Sequence, residues 1–516
     1  MAICLTRPIS FSSRVRLLAF AAFAVGLSLA LYFTRDPRLS AANAMLALLT
    51  IWCALAPGVA YFVRDSEKNA TTPFMGLTGG FYAIFFGFSV FLAHFMYHEG
   101  LAGIYFYLNF YTHTHKTAYI PKISESAQVI VLAGIVLQLA AWQLVLSWKP
   151  RFTARFAPRP ASRLWQTAVL AGVLSALFLM FLFLPQFRAL PSVGQFVVPA
   201  GYVGFGLLFV LVLQKAVPRW LRWLFLLSTI PIWIASMVAT GFLTPALLAV
   251  IYLAFLYKCV RRRFPWAAIL LTLAIASALY PIMNRYRAYS WQYDKRQELG
   301  YVESRVSGLF AKVLLLAKVA GQIYLNVQPT ESYVTDSKGV FLNQGFLQRT
   351  AGLVIFNYVY NKTPAEVPYW SGETYLPLLT SWIPRVFWKD KPREETGNKF
   401  ANRYHIIDPS DRNISINLPW ITELYANFGT LGVFGGMALA GFLLGLLERF
   451  FLHQASSSVG SVAGWGVLLP LFNQESNFSL MVGSLPMLTL CLWIYFSVGA
   501  RLIDRFRMGV RADASS

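Results

Sequence analysis

SAQVIVLAGIVLQLAAWQLVLS, residues 126–147, is followed at once by WKPRFTARFAPRPASRLW, residues 148–165. The first stretch has no charged side chain. As a helix rising about 1.5 Å per residue it is long enough to cross the roughly 30 Å hydrocarbon layer of a bilayer. The second stretch carries Lys149, Arg151, Arg155, Arg159 and Arg163 and no acid. A spanning run closed by a short basic connection is what the positive-inside bias places on the cytoplasmic side of a membrane.

The same pattern extends in both directions. Apolar runs lie near 15–33, 41–63, 77–97, 166–185 and 195–213, then near 223–240, 242–257 and 265–284. Three more follow near 428–447, 462–475 and 479–499, which predicts about twelve spans in all. Basic residues recur at every second connection: Lys215, Arg219 and Arg222; then Lys258, Arg261, Arg262 and Arg263; then Arg501, Arg505, Arg507 and Arg511 in the tail. The connections 34–40 and 186–194 are short and weakly charged. This parity predicts both termini in the cytoplasm.

Composition agrees. Apolar residues make up 57% of the chain and charged residues 13%, against about 25% in soluble proteins, so no soluble core of this length could bury these runs. A net charge of +22 would suggest nucleic acid in a soluble protein. Here the charge sits in short connections, and the expected partner is the lipid bilayer. Cys4, Cys53, Cys259 and Cys491 show no paired spacing, so neither a disulfide framework nor a cysteine metal site is expected. The first run follows Arg14 and Arg16 and imitates a signal peptide, but its length and the absence of a small-residue cleavage site predict a retained anchor.

The expected fold is therefore all-α, a polytopic transmembrane helical bundle in three parts. Residues 1–284 supply about nine helices. Residues 285–427 form a large outer loop containing short helices, and 428–516 supply about three helices and a basic tail. The loop holds most of the acidic residues, together with Arg285, Arg287, Arg349, Arg385, Lys391 and Arg403. Loops this long translocate largely regardless of charge. Within it, 303–325 has Val306, Leu309, Phe310, Val313 and Ala317 on one helical face, while Lys312 and Lys318 make it a poor span, so it is expected at the outer interface. No phosphate-cradling Walker sequence occurs and the inner connections are too short for a nucleotide domain, so any reaction must draw on its substrate or an ion gradient.

Two loop stretches concentrate unusual residues: SGETYLPLLTSWIPRVFWKDKP at 371–392 and ELYANFGTLGVFGG at 423–436. Trp382, Trp388, Pro384 and Pro392 bracket Arg385, Lys389 and Lys391. Interfacial tryptophans are ordinary. A guanidinium between prolines offers a planar fork matched to phosphate oxygens, the alternative being a salt bridge to Asp390 or Glu394. His94 and His98 are four apart and precede Glu99, with His113 and His115 in the same connection. Such spacing can ligate zinc, but facing water or headgroups explains it as well, and no metal is expected. Asn473, Glu475 and Asn477 interrupt the final pair of spans and are expected in a solvated outer turn.

IPRVFWKDKP at 383–392, with ELYANFG at 423–429 opening a glycine-rich helix, resembles the Wzy-type O-antigen and exopolysaccharide repeat-unit polymerases. The motif likeness covers roughly 340–445. The resemblance implies a GT-C-like glycosyltransferase in the inner membrane of a Gram-negative envelope, its large loop periplasmic. It would transfer a growing glycan from undecaprenyl pyrophosphate to a lipid-linked repeat unit, without nucleotide sugar, metal or other cofactor, alongside a chain-length regulator protein. Arg385 and Lys391 would bind the pyrophosphate, where donors held in place can stabilise the leaving group's charge. Arg285, Arg287, Arg349 and Arg403 are further substrate-binding candidates, with Asn427 in the second motif. Glu423, Glu373 and His405 are the candidate bases, Glu423 first because it adjoins the following helix. An O-antigen ligase, with the same donor, and a lipid-linked oligosaccharide flippase remain alternatives.

The charge alternation makes a direct prediction. Reporter fusions after Arg163, Arg222 and Arg263 should report cytoplasm and fusions within 330–420 periplasm; a cytoplasmic signal near Arg385 would sink both topology and enzyme assignment.

Overall fold

The computed structural model describes residues 11–35, 39–63, 74–91, 123–148, 164–188, 190, 193–298, 309–325, 350, 352–383, 387–388, 390–391, 394–407, 415–453, 458–499 and 501–503. Among these every regular element is helical. The first half of the chain supplies α1 (Phe11–Phe33), α2 (Ala41–Val63), α3 (Phe74–Phe91), α4 (Glu125–Ser147), α5 (Leu164–Phe183) and α6 (Val193–Leu213). Then come α7 (Arg219–Val238), α8 (Leu243–Arg261), the long α9 (Trp266–Glu298) and α10 (Leu309–Tyr324). The segment that follows holds α11 (Gly352–Lys362), α12 (Leu378–Ser381) and α13 (Thr396–Arg403). The chain closes with α14 (Trp420–Glu448), α15 (Ser458–Leu468), α16 (Phe478–Val482) and α17 (Leu485–Trp493).

Ten helices among the described residues are long and apolar enough to cross a membrane: α1 to α8, the Trp420–Leu452 stretch and Phe478–Ile503. The chain is a multi-pass membrane protein built as a helical bundle. Side chains such as Leu144, Leu270 and Leu431 point outward from it, as lipid-facing positions do. Two of the twelve expected runs are shorter apolar helices, Trp266–Tyr280 and Gly460–Leu471. In α9 the apolar part gives way to polar residues, and the 462–475 run ends in a turn that dives into the protein.

Residues 309–324 are helical, as the amphipathic pattern predicts, but the packed stripe is Leu315, Leu316 and Val319, while Val313 and Ala317 are exposed. The two described members of the apolar face drawn from sequence thus point away from the protein.

The Trp420–Leu452 stretch is not one straight span. Gly429 breaks α14 with φ +66° and ψ −155°, a region that is essentially glycine-only. A Cβ placed on Gly436 would lie 2.2 Å from Leu424 Cδ2, and one on Gly432 would lie 2.8 Å from Leu424 O. Residues twelve apart on a straight helix stand about 18 Å apart. The half-helix 420–428, read from sequence as mostly loop, therefore doubles back along 430–448. Glycine is needed at the contact because any side chain would push the halves apart.

Small residues likewise seat α14 on α4. Cβ atoms on Gly441 and Gly134 would fall 2.0 Å from Gln138 O and 2.8 Å from Val433 Cγ1. At the far end of this contact, buried Glu448 accepts Trp142 Nε1 at 2.8 Å and the Phe74 and Met75 amides at the start of α3. α11 covers the other end of α4, where Asn357 Oδ1 accepts the Ser124 N–H at 2.9 Å.

Gly429→Ala should destabilise the protein by about 1–3 kcal/mol from backbone strain, and its Cβ would also meet Tyr369 Oη at 2.8 Å. Gly435→Ala, with nothing within 4 Å, should be silent. Melting temperature and monodisperse yield in detergent check both; equal behaviour of the two variants would contradict the reversal.

Candidate functional site

The reversal leaves the last carbonyls of half-helix 420–428 without intrahelical partners. Residues 370–374 meet them: Trp370 N donates to Ala426 O at 3.1 Å and Ser371 N to Asn427 O at 3.2 Å. Gly372, at φ +91°, then lets its N–H reach Asn427 Oδ1 at 2.8 Å. The Asn427 amide donates to Thr374 Oγ1 at 2.9 Å and back to Glu423 O at 2.8 Å. Asn427, expected to touch substrate, is a buried splice between the motif segments.

Glu423 sits one turn earlier and is 0% exposed. Its Oε2 accepts the Phe478 N–H at 2.6 Å and the Thr374 hydroxyl leans on the same carboxyl, while Oε1 has no hydrogen-bond partner among the described residues. A second carboxylate approaches the same strand of chain from the other side. Glu394 Oε1 accepts Thr396 Oγ1 at 2.8 Å, Asn477 Nδ2 at 2.8 Å and Ser479 Oγ at 2.9 Å. Residues 477–479 are thus gripped between two glutamates. Burial pushes the Tyr375 phenol up, and the Glu423 charge adds to the shift, so Tyr375 stays neutral beside them.

The turn that carries these donors corrects the sequence expectation. Asn477 and the neighbouring Gln474 are buried, while Asn473 and Glu475 are half-buried. Gln474 Oε1 accepts Gln138 Nε2 at 3.0 Å and the Tyr82 hydroxyl, and Gln474 O accepts Trp420 N at 3.3 Å. Gln138 lies thirteen residues, about 20 Å, along α4 from Glu125. The turn therefore meets the start of the half-helix deep in the bundle.

Outside the glutamates lies a cavity of about 520 Å³, walled by residues of 370–399 and 479–484 together with Gln195. Thr374, Thr380, Ser381, Thr396 and Ser479 line it, with Trp370, Leu376, Pro377, Leu480, Glu373, Glu394, Lys391 and Lys399. Lys391 Nζ gives hydrogen bonds to Ser381 O at 2.8 Å and Ile383 O at 2.9 Å, closing the end of α12. Arg403 lies over the Trp370 ring at 4.4 Å, meets Glu373 at 3.5 Å and donates to Pro368 O at 3.1 Å. His405 is exposed at φ +55°, in the turn that ends α13, and does not line the cavity.

The structure thus brings Glu373, Lys391, Glu423 and Asn427 to one region, with Arg403 at its rim. Arg285 and Arg287 lie on α9, but their side chains, like Arg349 and Arg385, fall outside the described residues, as do His94, His98, His113 and His115. Glu394, weighed from sequence as an Arg385 partner, binds Thr396, Asn477 and Ser479. Sequence reasoning missed Thr374, Lys399 and Ser479. The only signal was the polar break NQESNFS at 473–479, taken for solvent. Among the described residues no three His, Cys, Asp or Glu side chains gather as metal ligands would.

The family described as Domain of unknown function (DUF8712) matches residues 319–470, which includes the half-helix, the segment that caps it and the Glu394 wall of the cavity. No curated protein matches the chain. No solved structure matches it.

Proposed function

We propose that this protein is a Wzy-type polymerase that joins undecaprenyl-pyrophosphate-linked oligosaccharide repeat units into O-antigen or exopolysaccharide. The observation that carries the reading is the cavity. Its volume, about 520 Å³, lies within the range of roughly 300–1,000 Å³ usual for small-ligand sites. Its walls set hydroxyls, carboxylates and ammonium groups among the apolar side chains of Trp370, Leu376, Pro377 and Leu480, and the polar groups suit a ligand rich in hydroxyls that also carries phosphate. Of the polymerase-like stretches, 383–392 contributes Lys391 to its wall, and 423–429 lies behind the segment 370–374 that lines it.

In this proposal the membrane is the bacterial inner membrane, both termini are cytoplasmic and the cavity opens toward the periplasm. Twelve crossings of a GT-C-like bundle follow if α9 and α15 complete their passage with less apolar residues. A chain-length regulator protein is the natural partner. A ligase would use the same donor with a lipid A core acceptor. A lipid-linked oligosaccharide transporter is the second reading, favoured by one observation: the helix broken at Gly429 meets a buried turn, as discontinuous helices do in transporters.

Glycan laddering in a deletion strain separates the three. Accumulated single repeat units on the periplasmic face support the polymerase, polymer left off the lipid A core identifies a ligase, and lipid-linked units held on the cytoplasmic face identify a transporter. Within the polymerase reading, Arg385→Lys should fail nearly as badly as Arg385→Ala, because an ammonium cannot reproduce the bidentate fork. A fully active Arg385→Ala protein at normal membrane level would remove the residue from the mechanism.

A further inference from the structure

We propose that Glu394 is the proton acceptor of this site and Lys399 the cation that faces the leaving phosphate. The assignment rests on the polymerase reading above and departs from the motif-based choice of Glu423 and Lys391.

The carboxylates differ in access. Glu423 is fully buried, lies off the cavity wall and stands behind Thr374, so a sugar hydroxyl could reach it only by unpacking the half-helix. Glu373 lines the cavity but is paired with Arg403. His405 stands outside it. Glu394 lines the cavity with Oε1 fixed by three uncharged donors, one from its own loop and two from 477–479. Among the described residues no donor is bonded to Oε2. Three bonds on one oxygen aim the other, the orientation that a general base needs.

The cations divide in the same way. Two of the three Lys391 donors go to the carbonyls that end α12 and its following turn. Lys399 lines the same cavity from α13, one turn after Thr396. Among the described residues it makes no side-chain hydrogen bond or ion pair, with Glu394 or any other group. A carboxylate and an ammonium that share a cavity without pairing leave the space between them for reacting atoms.

The step balances as follows. The acceptor sugar's hydroxyl oxygen attacks the anomeric carbon of the donor glycan and its proton passes to Glu394 Oε2. The bond from that carbon to the phosphate oxygen breaks, and its electron pair leaves with the lipid pyrophosphate, whose added negative charge faces Lys399. A new glycosidic bond and a protonated Glu394 result, and the proton returns to water.

The test uses full-length protein purified in detergent and added to membrane vesicles from the deletion strain, whose accumulated lipid-linked repeat unit is the probe; polymer is read as a ladder across a range of pH. Glu394→Gln keeps an amide oxygen for the three bonds but cannot accept the proton. It should keep the wild-type melting temperature while its rate falls by about 10²–10⁴-fold, and the residual rate should lose the acid limb that the wild type shows. Lys399→Arg should retain most activity and Lys399→Ala should lose it, again without loss of stability. Wild-type rates from Glu394→Gln, or a drop explained wholly by lost folded protein with the acid limb intact, would overturn the assignment while leaving the polymerase reading in place. If the wild type itself builds no ladder from this probe, both fall together.

Discussion

A helix that stops inside a packed apolar bundle exposes backbone donors and acceptors that apolar side chains cannot satisfy, and this structure is organised around meeting that demand at Gly429. The half-helix 420–428 has two ends to satisfy. At its start, Trp420 N is taken by Gln474 O; at its finish, the carbonyls of Ala426 and Asn427 are taken by the amides of Trp370 and Ser371. Both partners come from distant parts of the chain, so the reversal fixes the 370–374 segment and the 472–477 turn on opposite ends of one element. The cavity forms beside that junction, because segments drawn together for backbone reasons bring Thr374 and Ser479 to its wall.

The same junction explains two glutamates placed side by side. Buried carboxylates are retained where hydrogen bonds or opposite charges offset their desolvation. For buried Glu423 the Phe478 N–H supplies that offset, while Glu394, which is exposed, is positioned by Thr396, Asn477 and Ser479. The donors come from the start of α16: the Asn477 and Ser479 side chains bond Glu394, and the Phe478 N–H bonds Glu423. The arrangement holds the acids in place without a paired cation. Lysine is left to other tasks, Lys391 to tie a turn and Lys399 to face the cavity.

Much of the architecture was legible in the sequence. Runs such as 126–147 need only length and hydropathy to be recognised, and the glycines of 423–436 marked the helix that follows Gly429, while 420–427 read as loop. What was not legible has a common cause. A polar run between apolar segments looks the same whether water or protein satisfies it, so NQESNFS read as an outer turn, although Gln474 packs against Tyr82 and Gln138. Helical periodicity located α10 but not which side packs, since a membrane helix can bury one apolar face in protein and present another to lipid. Charge alone could not distinguish Lys391 from Lys399, because the difference lies in which carbonyls end a four-residue helix.

Broken helices are shared by transporters and by enzymes that work at a membrane face, so the break at Gly429 does not by itself choose between them. The ties across it support the catalytic proposal. Alternating access rocks one set of helices against another around a fixed site. The half-helix is joined to its surroundings by Trp420 to Gln474, by Glu423 to Phe478, and by Asn427 to both Gly372 and Thr374. It also lies along α14, where the glycines leave no slack. A rocking motion that used this break as its gate would sever all of these contacts in each cycle and leave Glu423 buried without its donor, a costly state. A site held by converging ties suits chemistry, which depends on groups kept within about half an ångström of a productive geometry. The ties at the junction therefore support the proposed catalytic cavity over a transport gate.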